Sequence, residues 1–296
     1  MADEHKIINE NCNNLMGCSY ISGKEIMLHA IEGIERSFKN PDTNVLKTDF
    51  RYLEFQRDDL VVLAGRPYIG KTNFVLNLLS QFVLEKKIPV GLVDTKNPEY
   101  SIANRILSIN SGVPFAMIRS GMLRMDEVSR IQKAAAKFFD SPLYLFNEPN
   151  SGLEAIKRNA IHMAMEHHIQ LLIVDAFEYL QEIVDTDEKN YRAKLTYLLC
   201  EFKGVATQLN IPVILVMEIP ETRNNNEPNL SVFKKHMIIP DRADKVIFLH
   251  RDRLTNYAMS QNTKLIVAKN SSGSVVDISI NYNTVTGKFF CGDASE

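Results

Sequence analysis

Six short apolar runs recur along this chain, most of them separated by helical patterns: "LVVLAG" (60–65), "PVGLVD" (89–94), "PLYLF" (142–146), "LLIVD" (171–175), "PVILVM" (212–217) and "KVIFLH" (245–250). They lack the alternation of a strand with one wet face. A near-continuous apolar strand is covered on both faces, and the intervening helices supply the cover. The pattern predicts an α/β fold with a mostly parallel central sheet and helices on both faces. Two later stretches, "TKLIVAK" and "VVDISINYN", have strand composition, the second with alternation, and predict a hairpin-like edge.

The first run leads into "GRPYIGKT", which fits G-x-x-x-x-G-K-[ST] at Gly65, Gly70, Lys71 and Thr72. The strand before it and the helix after it are the context this motif requires. Glycines let backbone N–H groups turn inward around phosphate oxygens. Lys71 brings positive charge to the outer phosphates, and the Thr72 hydroxyl suits Mg²⁺. The following helix, "KTNFVLNLLSQFVLE", turns its N-terminal dipole toward the anion. The cradle comprises Gly65, Arg66, Pro67, Gly70, Lys71, Thr72 and Asn73, and the expected ligands are ATP or ADP with Mg²⁺. "LLIVD" ends on Asp175, a carboxylate placed to hold Mg²⁺ through water. Strand-end aspartates are common, so Asp175 gains its meaning from the cradle.

Composition bounds the rest. The net charge of −2 gives no global basic field, so any nucleic-acid contact must come from a local basic surface or from repeated subunits. Cys12, Cys18, Cys200 and Cys291 fit no zinc spacing and read as ordinary thiols of a reducing compartment. "MADEHKIINENCNN" lacks the apolar core of a signal peptide, and no apolar run approaches the roughly 18 residues of a membrane span. A cytoplasmic protein with no membrane partner is expected. Residues 1–20 read as a flexible polar tail and 21–48 as a linker helix and loop. In that helix Ile26, Met27, Ala30, Ile31, Ile34 and Phe38 fall near helical spacing, and "NPDTN" ends it. Residues 49–296 form the main domain.

The order and spacing of "TDFRYLEFQRDDLVVLAGRPYIGKTNFVLNLL", "NPEYSIANRILSINSGVPFAMIRSGMLRMDEVSRI", "SPLYLFNEPN", "LLIVDAFEYL", "LNIPVILVMEIPETR", "RADKVIFLHRD" and "LIVAKNSSGS" resemble the C-terminal motor domain of DnaB-type hexameric replicative DNA helicases, over roughly residues 22–290. The resemblance implies a RecA-like P-loop fold, rings with ATP sites between neighbouring subunits, single-stranded DNA as a ligand, and a helicase or other replication protein as a partner. It also implies self-association through the 22–39 helix, whose other reading is a helix packed on its own domain. The family's N-terminal helical domain has no counterpart in these residues, from which weak or no ring formation by the chain alone is expected.

The departures from the family pattern concern catalysis. Where the family reads F-S-L-E-M, with a Glu that polarises the attacking water, this chain reads "VDTKN" and places Lys96. A cation cannot accept a proton from water. Asp94, on the same strand face two residues earlier, is a substitute base displaced by about 6–7 Å. Where the family has S-Q-L-N-R, with a Gln that senses the terminal phosphate, this chain has "MEIPE" and places Glu218, with Pro220 and Glu221 behind it. The family's A-K-Q-R-N-G, whose Arg reaches a neighbour's site, becomes "AKNSSG": Lys269 persists and Ser271 takes the finger's place. Loss of such a finger costs about 10³–10⁵ in rate in well-studied systems. In the DNA-facing loop, "FKKHM" offers Lys234 and Lys235, which read equally as phosphate contacts or as a solvated turn. Arg251 and Asp252 match the family's "YRD". With three catalytic positions exchanged and the cradle intact, the sequence predicts nucleotide binding with weak or absent turnover. The competing expectation is an active minimal 5′–3′ ring-forming DNA helicase.

Overall fold

The apolar runs become strands whose alternate residues face two different layers. The computed structural model describes residues 22–39, 45–184, 186–187, 190–221, 226–253 and 259–291. The chain divides into two units, meeting between Val45 and Leu46. In the first, helix α1 (Gly23–Lys39) starts from a reciprocal cap. The Glu25 N–H donates to Ser22 Oγ at 3.2 Å, and the Ser22 N–H donates back to Glu25 Oε2 at 2.7 Å. Met27, Ile31, Ile34 and Phe38 of α1 are exposed, so its apolar stripe is unburied. The predicted 1–20 tail and the "NPDTN" breaker lie outside the described residues.

The second unit is built on a nine-stranded sheet. Its strands are β3 (Leu60–Gly65), β4 (Val90–Asp94), β5 (Leu143–Phe146), β6 (Leu171–Asp175), β7 (Val213–Glu218), β8 (Lys245–Arg253), β9 (Met259–Asn270), β10 (Val276–Asn283) and β11 (Lys288–Cys291). Two short strands, β1 (Val45–Lys47) and β2 (Glu54–Gln56), pair separately. The order is β11-β10-β9-β8-β3-β7-β6-β4-β5. β8, β3, β7, β6, β4 and β5 run parallel, while β9, β10 and β11 extend the sheet antiparallel. The α/β reading holds, and the hairpin edge gains β11, too short a strand to show periodicity.

One face of the sheet, with Val61, Leu63, Leu92, Ile173, Val216 and Ile247, packs on helices α2 (Lys71–Ser80) and α3 (Glu99–Ser111). The other, with Leu60, Val62, Val93, Val174, Leu215 and Phe248, packs on the later helices 153–167 and 191–209. This two-sided burial is why the strands read as unbroken apolar runs. The strand order reverses around β3, so a crevice opens outside the carboxyl ends of β3, β7 and β6. Parallel register sets Glu218 level with Gly65 and Asp94 level with Asp175.

Candidate nucleotide site

The chain leaves β3 at Gly65 and enters α2 at Lys71. A Cβ on Gly65 would lie 3.0 Å from Ile69 Cγ2 and 3.1 Å from the Leu249 carbonyl oxygen, so only glycine lets the loop close down. Gly70 holds φ 108°, which L side chains avoid. Tyr68 is also left-handed, at φ 59°, and the residue is 97% exposed. Gly70 is the N-cap of α2: no side chain caps the helix and its first turn carries no acid. Amides left in that state favour an anion.

The loop aims Lys71. Its Nζ donates to the carbonyl oxygens of Gly65 at 2.9 Å and Arg66 at 3.0 Å, and meets Glu218 Oε2 at 3.4 Å. Burial lowers its pKa, and the charges of Glu218, Glu178 and Asp175 oppose that. The Arg66 guanidinium donates to the Asn226 carbonyl at 2.6 Å and does not line the cavity. Arg251 is buried beneath the loop, donating to the Ile69 carbonyl at 3.3 Å and lying 4.5 Å from the Tyr282 ring centroid.

A cavity of about 690 Å³ surrounds these groups. Pro67, Gly70, Lys71, Thr72 and Asn73 line it from the loop and helix, and Asp175 lines it from β6. Asp175 Oδ1 accepts the Ala176 N–H at 2.9 Å, while its Oδ2 is buried and closes no hydrogen bond by distance and angle. Burial and the nearby Asp94 charge push the Asp175 pKa up to about 6, with the Thr72 hydroxyl and the Ala176 amide pulling the other way. A buried, underpartnered carboxylate beside a threonine hydroxyl could hold a divalent cation. Among the described residues no group of three or more His, Cys, Asp or Glu side chains could hold a metal. A cation here would therefore draw its remaining ligands from phosphate and water, the usual arrangement for Mg²⁺.

Asp94, the substitute base expected from the sequence, has both carboxylate oxygens engaged in a turn. Its Oδ1 accepts the N–H groups of Lys96 at 2.9 Å and Asn97 at 2.6 Å, and its Oδ2 accepts Asn97 Nδ2 at 2.9 Å. Asp94 is buried and absent from the cavity wall, and its carboxylate closes the turn that follows β4. Lys96, which that turn presents, does line the cavity, as do Glu218 and Glu221. Lys269, expected at a nucleic-acid contact, is engaged within the chain. Its Nζ donates to the Pro240 and Ala243 carbonyls, both at 2.7 Å, and so caps the short helix Ile238–Arg242. Lys234 is exposed on the 3₁₀ turn Leu230–His236, whereas the Lys235 side chain lies outside the described residues. Ser271 follows the end of β9, where Asn270 pairs with Lys245 at the start of β8, at the far end of the sheet from the cavity.

Among the lining residues that were not anticipated are Glu178, Tyr179, Arg105 and Tyr282. Ala176, at φ 62°, turns the chain sharply after Asp175, and the Thr95 hydroxyl holds the Ala176 carbonyl at 3.0 Å. The turn brings Glu178 to the cavity with its Oε2 buried and lacking a hydrogen bond. Burial raises the Glu178 pKa, opposed by Lys71 and Lys96. An acid inside the otherwise apolar "AFEYL" was the available signal. Arg105 donates to Asn73 Oδ1 at 2.9 Å, and Asn73 Nδ2 donates to the Tyr282 hydroxyl at 2.7 Å. These residues are distant in sequence, and no local pattern joins them.

Known proteins share this architecture. The family model described as DnaB-like helicase C terminal domain matches residues 42–290. The replicative DNA helicase DnaB of Treponema pallidum (strain Nichols) is 27% identical over 275 residues, covering 90% of this chain and 61% of that protein. A probable plasmid replicative DNA helicase of Chlamydia psittaci is 27% identical over 252 residues, covering 83% of this chain and 54% of that protein. The chain thus spans little more than half the length of these relatives. One solved ATPase domain superposes with a TM-score of 0.78 at 18% identity, covering 93% of this chain and 100% of that one. A DnaB-like replicative helicase, solved in a study of its interactions with primase, gives 0.78 at 17% identity and covers 93% of this chain and 68% of that one. At such identities the likeness speaks for the fold.

Proposed function

Because this chain belongs to the DnaB-like helicase C-terminal domain family, we propose that it is a replicative-helicase motor domain that binds ATP·Mg²⁺ with weak or absent turnover. The observation that carries the reading is Lys71, held by two carbonyls of its own loop beside bare helix amides and an underpartnered Asp175. Gly65, Pro67, Gly70 and Asn73 shape the cradle, and Thr72 and Asp175 hold the metal, which neutralises phosphate charge. Weak or absent turnover follows from Lys96 and Glu218 on the cavity wall, where the family pattern has a water-polarising Glu and a phosphate-sensing Gln. Its setting is cytoplasmic DNA replication. Among the described residues no helix is long and apolar enough to cross a membrane. Single-stranded DNA, another replication protein and further copies of the chain are its partners, the copies meeting through the unburied stripe of α1.

The second reading, an active 5′–3′ helicase that forms rings, draws support from Glu178, a carboxylate lining the same cavity. ATP turnover with and without single-stranded DNA, measured beside nucleotide binding and the Lys71→Ala variant, separates the two. Binding that Lys71→Ala removes, with turnover far below motor rates, is the expected result. DNA-stimulated turnover at ordinary motor rates would establish the second reading, and absence of nucleotide binding would remove both.

A further inference from the structure

A second lysine, Lys96, lines the same cavity as Lys71, and its ammonium is held quite differently. The turn closed by Asp94 fixes the Lys96 backbone, and the Lys96 Nζ lies 4.5 Å from the centroid of the Tyr179 ring. Burial pulls the Lys96 pKa down, but the Tyr179 phenol and the charges of Glu178 and Glu218 outweigh it and leave it raised, so the group stays charged. Lys71 is in contact with two carbonyls and a carboxylate, whereas Lys96 rests on an aromatic face, a weaker partner that an anion readily displaces.

The cavity has need of such a charge. Asp175, Glu178, Glu218 and Glu221 line it against Lys71, Lys96 and Arg105, an unfavourable balance for a polyanion. The longer the phosphate chain, the more it depends on each cation within reach.

Resting on the nucleotide-binding reading above, we infer that Lys96 is a second phosphate-binding lysine that makes this cavity selective for a nucleoside triphosphate over a diphosphate. The same residue accounts for grip and slowness together. An ammonium donates hydrogen bonds to a terminal phosphate but has no lone pair with which to take a proton from water. The charges of Glu178 and Glu218 favour its charged form, and the Tyr179 ring lies against it without neutralising it.

The test is equilibrium binding to the full chain with Mg²⁺ present, using ADP and a non-hydrolysable β,γ-imido triphosphate, for the wild type, Lys96→Gln and Lys96→Glu. The wild type should prefer the triphosphate. Lys96→Gln should weaken triphosphate binding roughly tenfold and ADP binding by no more than about twofold, and Lys96→Glu should weaken the triphosphate further. Melting curves check that both variants fold, and Tyr179→Ala, which removes the supporting ring, should shift selectivity in the same direction. Equal losses for both nucleotides, or no change for either, would overturn the inference while leaving the nucleotide site standing. A wild type that binds neither nucleotide would overturn the reading on which it rests.

Discussion

Replacing Asp175 by asparagine should stabilise the nucleotide-free protein while impairing its site. Asp175 is buried, its neighbour Asp94 is acidic, and its pKa rises from an ordinary 3.8 to about 6. A carboxyl with a raised folded-state pKa adds stability in its protonated form. That contribution is complete below the unfolded value and is lost as pH rises through about 6. At about 1.36 kcal/mol per pH unit, ionised Asp175 costs the fold about 3 kcal/mol at pH 8. Asparagine resembles the protonated acid in shape and can still accept the Ala176 N–H. Asp175→Asn should therefore melt higher than the wild type at pH 8 in chelator, by up to roughly 6–12 °C for a domain of this size. The gain should shrink as pH falls through 6 and vanish near pH 4. With Mg²⁺ and nucleotide the order should reverse, because ligand stabilisation requires the carboxylate. Calorimetry across pH 4–8, with and without Mg·ATP, measures both. A variant that melts lower than the wild type at pH 8 without ligand, or by a margin independent of pH, would refute the account of burial and charge.

Further outcomes follow from the same geometry. Gly65→Ala should cost about 1–3 kcal/mol in denaturant unfolding, because the added methyl meets the Leu249 carbonyl at 3.1 Å, and should weaken nucleotide binding with it. Asn77 clamps the β10–β11 turn to α2, its Nδ2 donating to the Gly287 carbonyl at 2.9 Å and its Oδ1 accepting the Phe289 N–H at 3.0 Å. Asn77→Ala should cost about 1–3 kcal/mol and raise hydrogen exchange at Phe289 first. Glu178→Gln removes a charge from beside Lys71 and Lys96 and should tighten triphosphate binding several-fold, a sign opposite to that of Lys96→Gln. Unchanged or weaker binding would show that Glu178 lies away from the phosphates. Ile34→Glu in the unburied stripe of α1 should lower self-association in sedimentation and leave the melting temperature of the main domain within about 2 °C.

Much of the fold was legible because its determinants are local. A strand buried on both faces must be apolar throughout, so "LVVLAG" and "LLIVD" could be nothing else in a helix-rich chain of this length. The tight loop after β3 was legible for a similar reason: its close approach and left-handed turn require glycine, and Gly65 and Gly70 stand there. Asp94 shows where local reading stops. Its place at a strand end could be read from the chain, but its oxygens were claimed by the turn that follows. The fate of Lys269 was likewise settled by a helix end that folding places beneath it, about thirty residues away in the chain.

The sequence alone determined the sheet's class and the position of the glycine-bounded loop between β3 and α2, since each is a property of neighbouring residues. Only the tertiary structure decided which charges meet. Parallel pairing placed Glu218 beside Gly65 and thereby against Lys71, and the left-handed turn at Ala176 carried Glu178 and Tyr179 to the cavity that Lys96 enters. Electrostatic interaction depends on distance in space, and folding brings within a few ångströms groups that the chain separates by many residues.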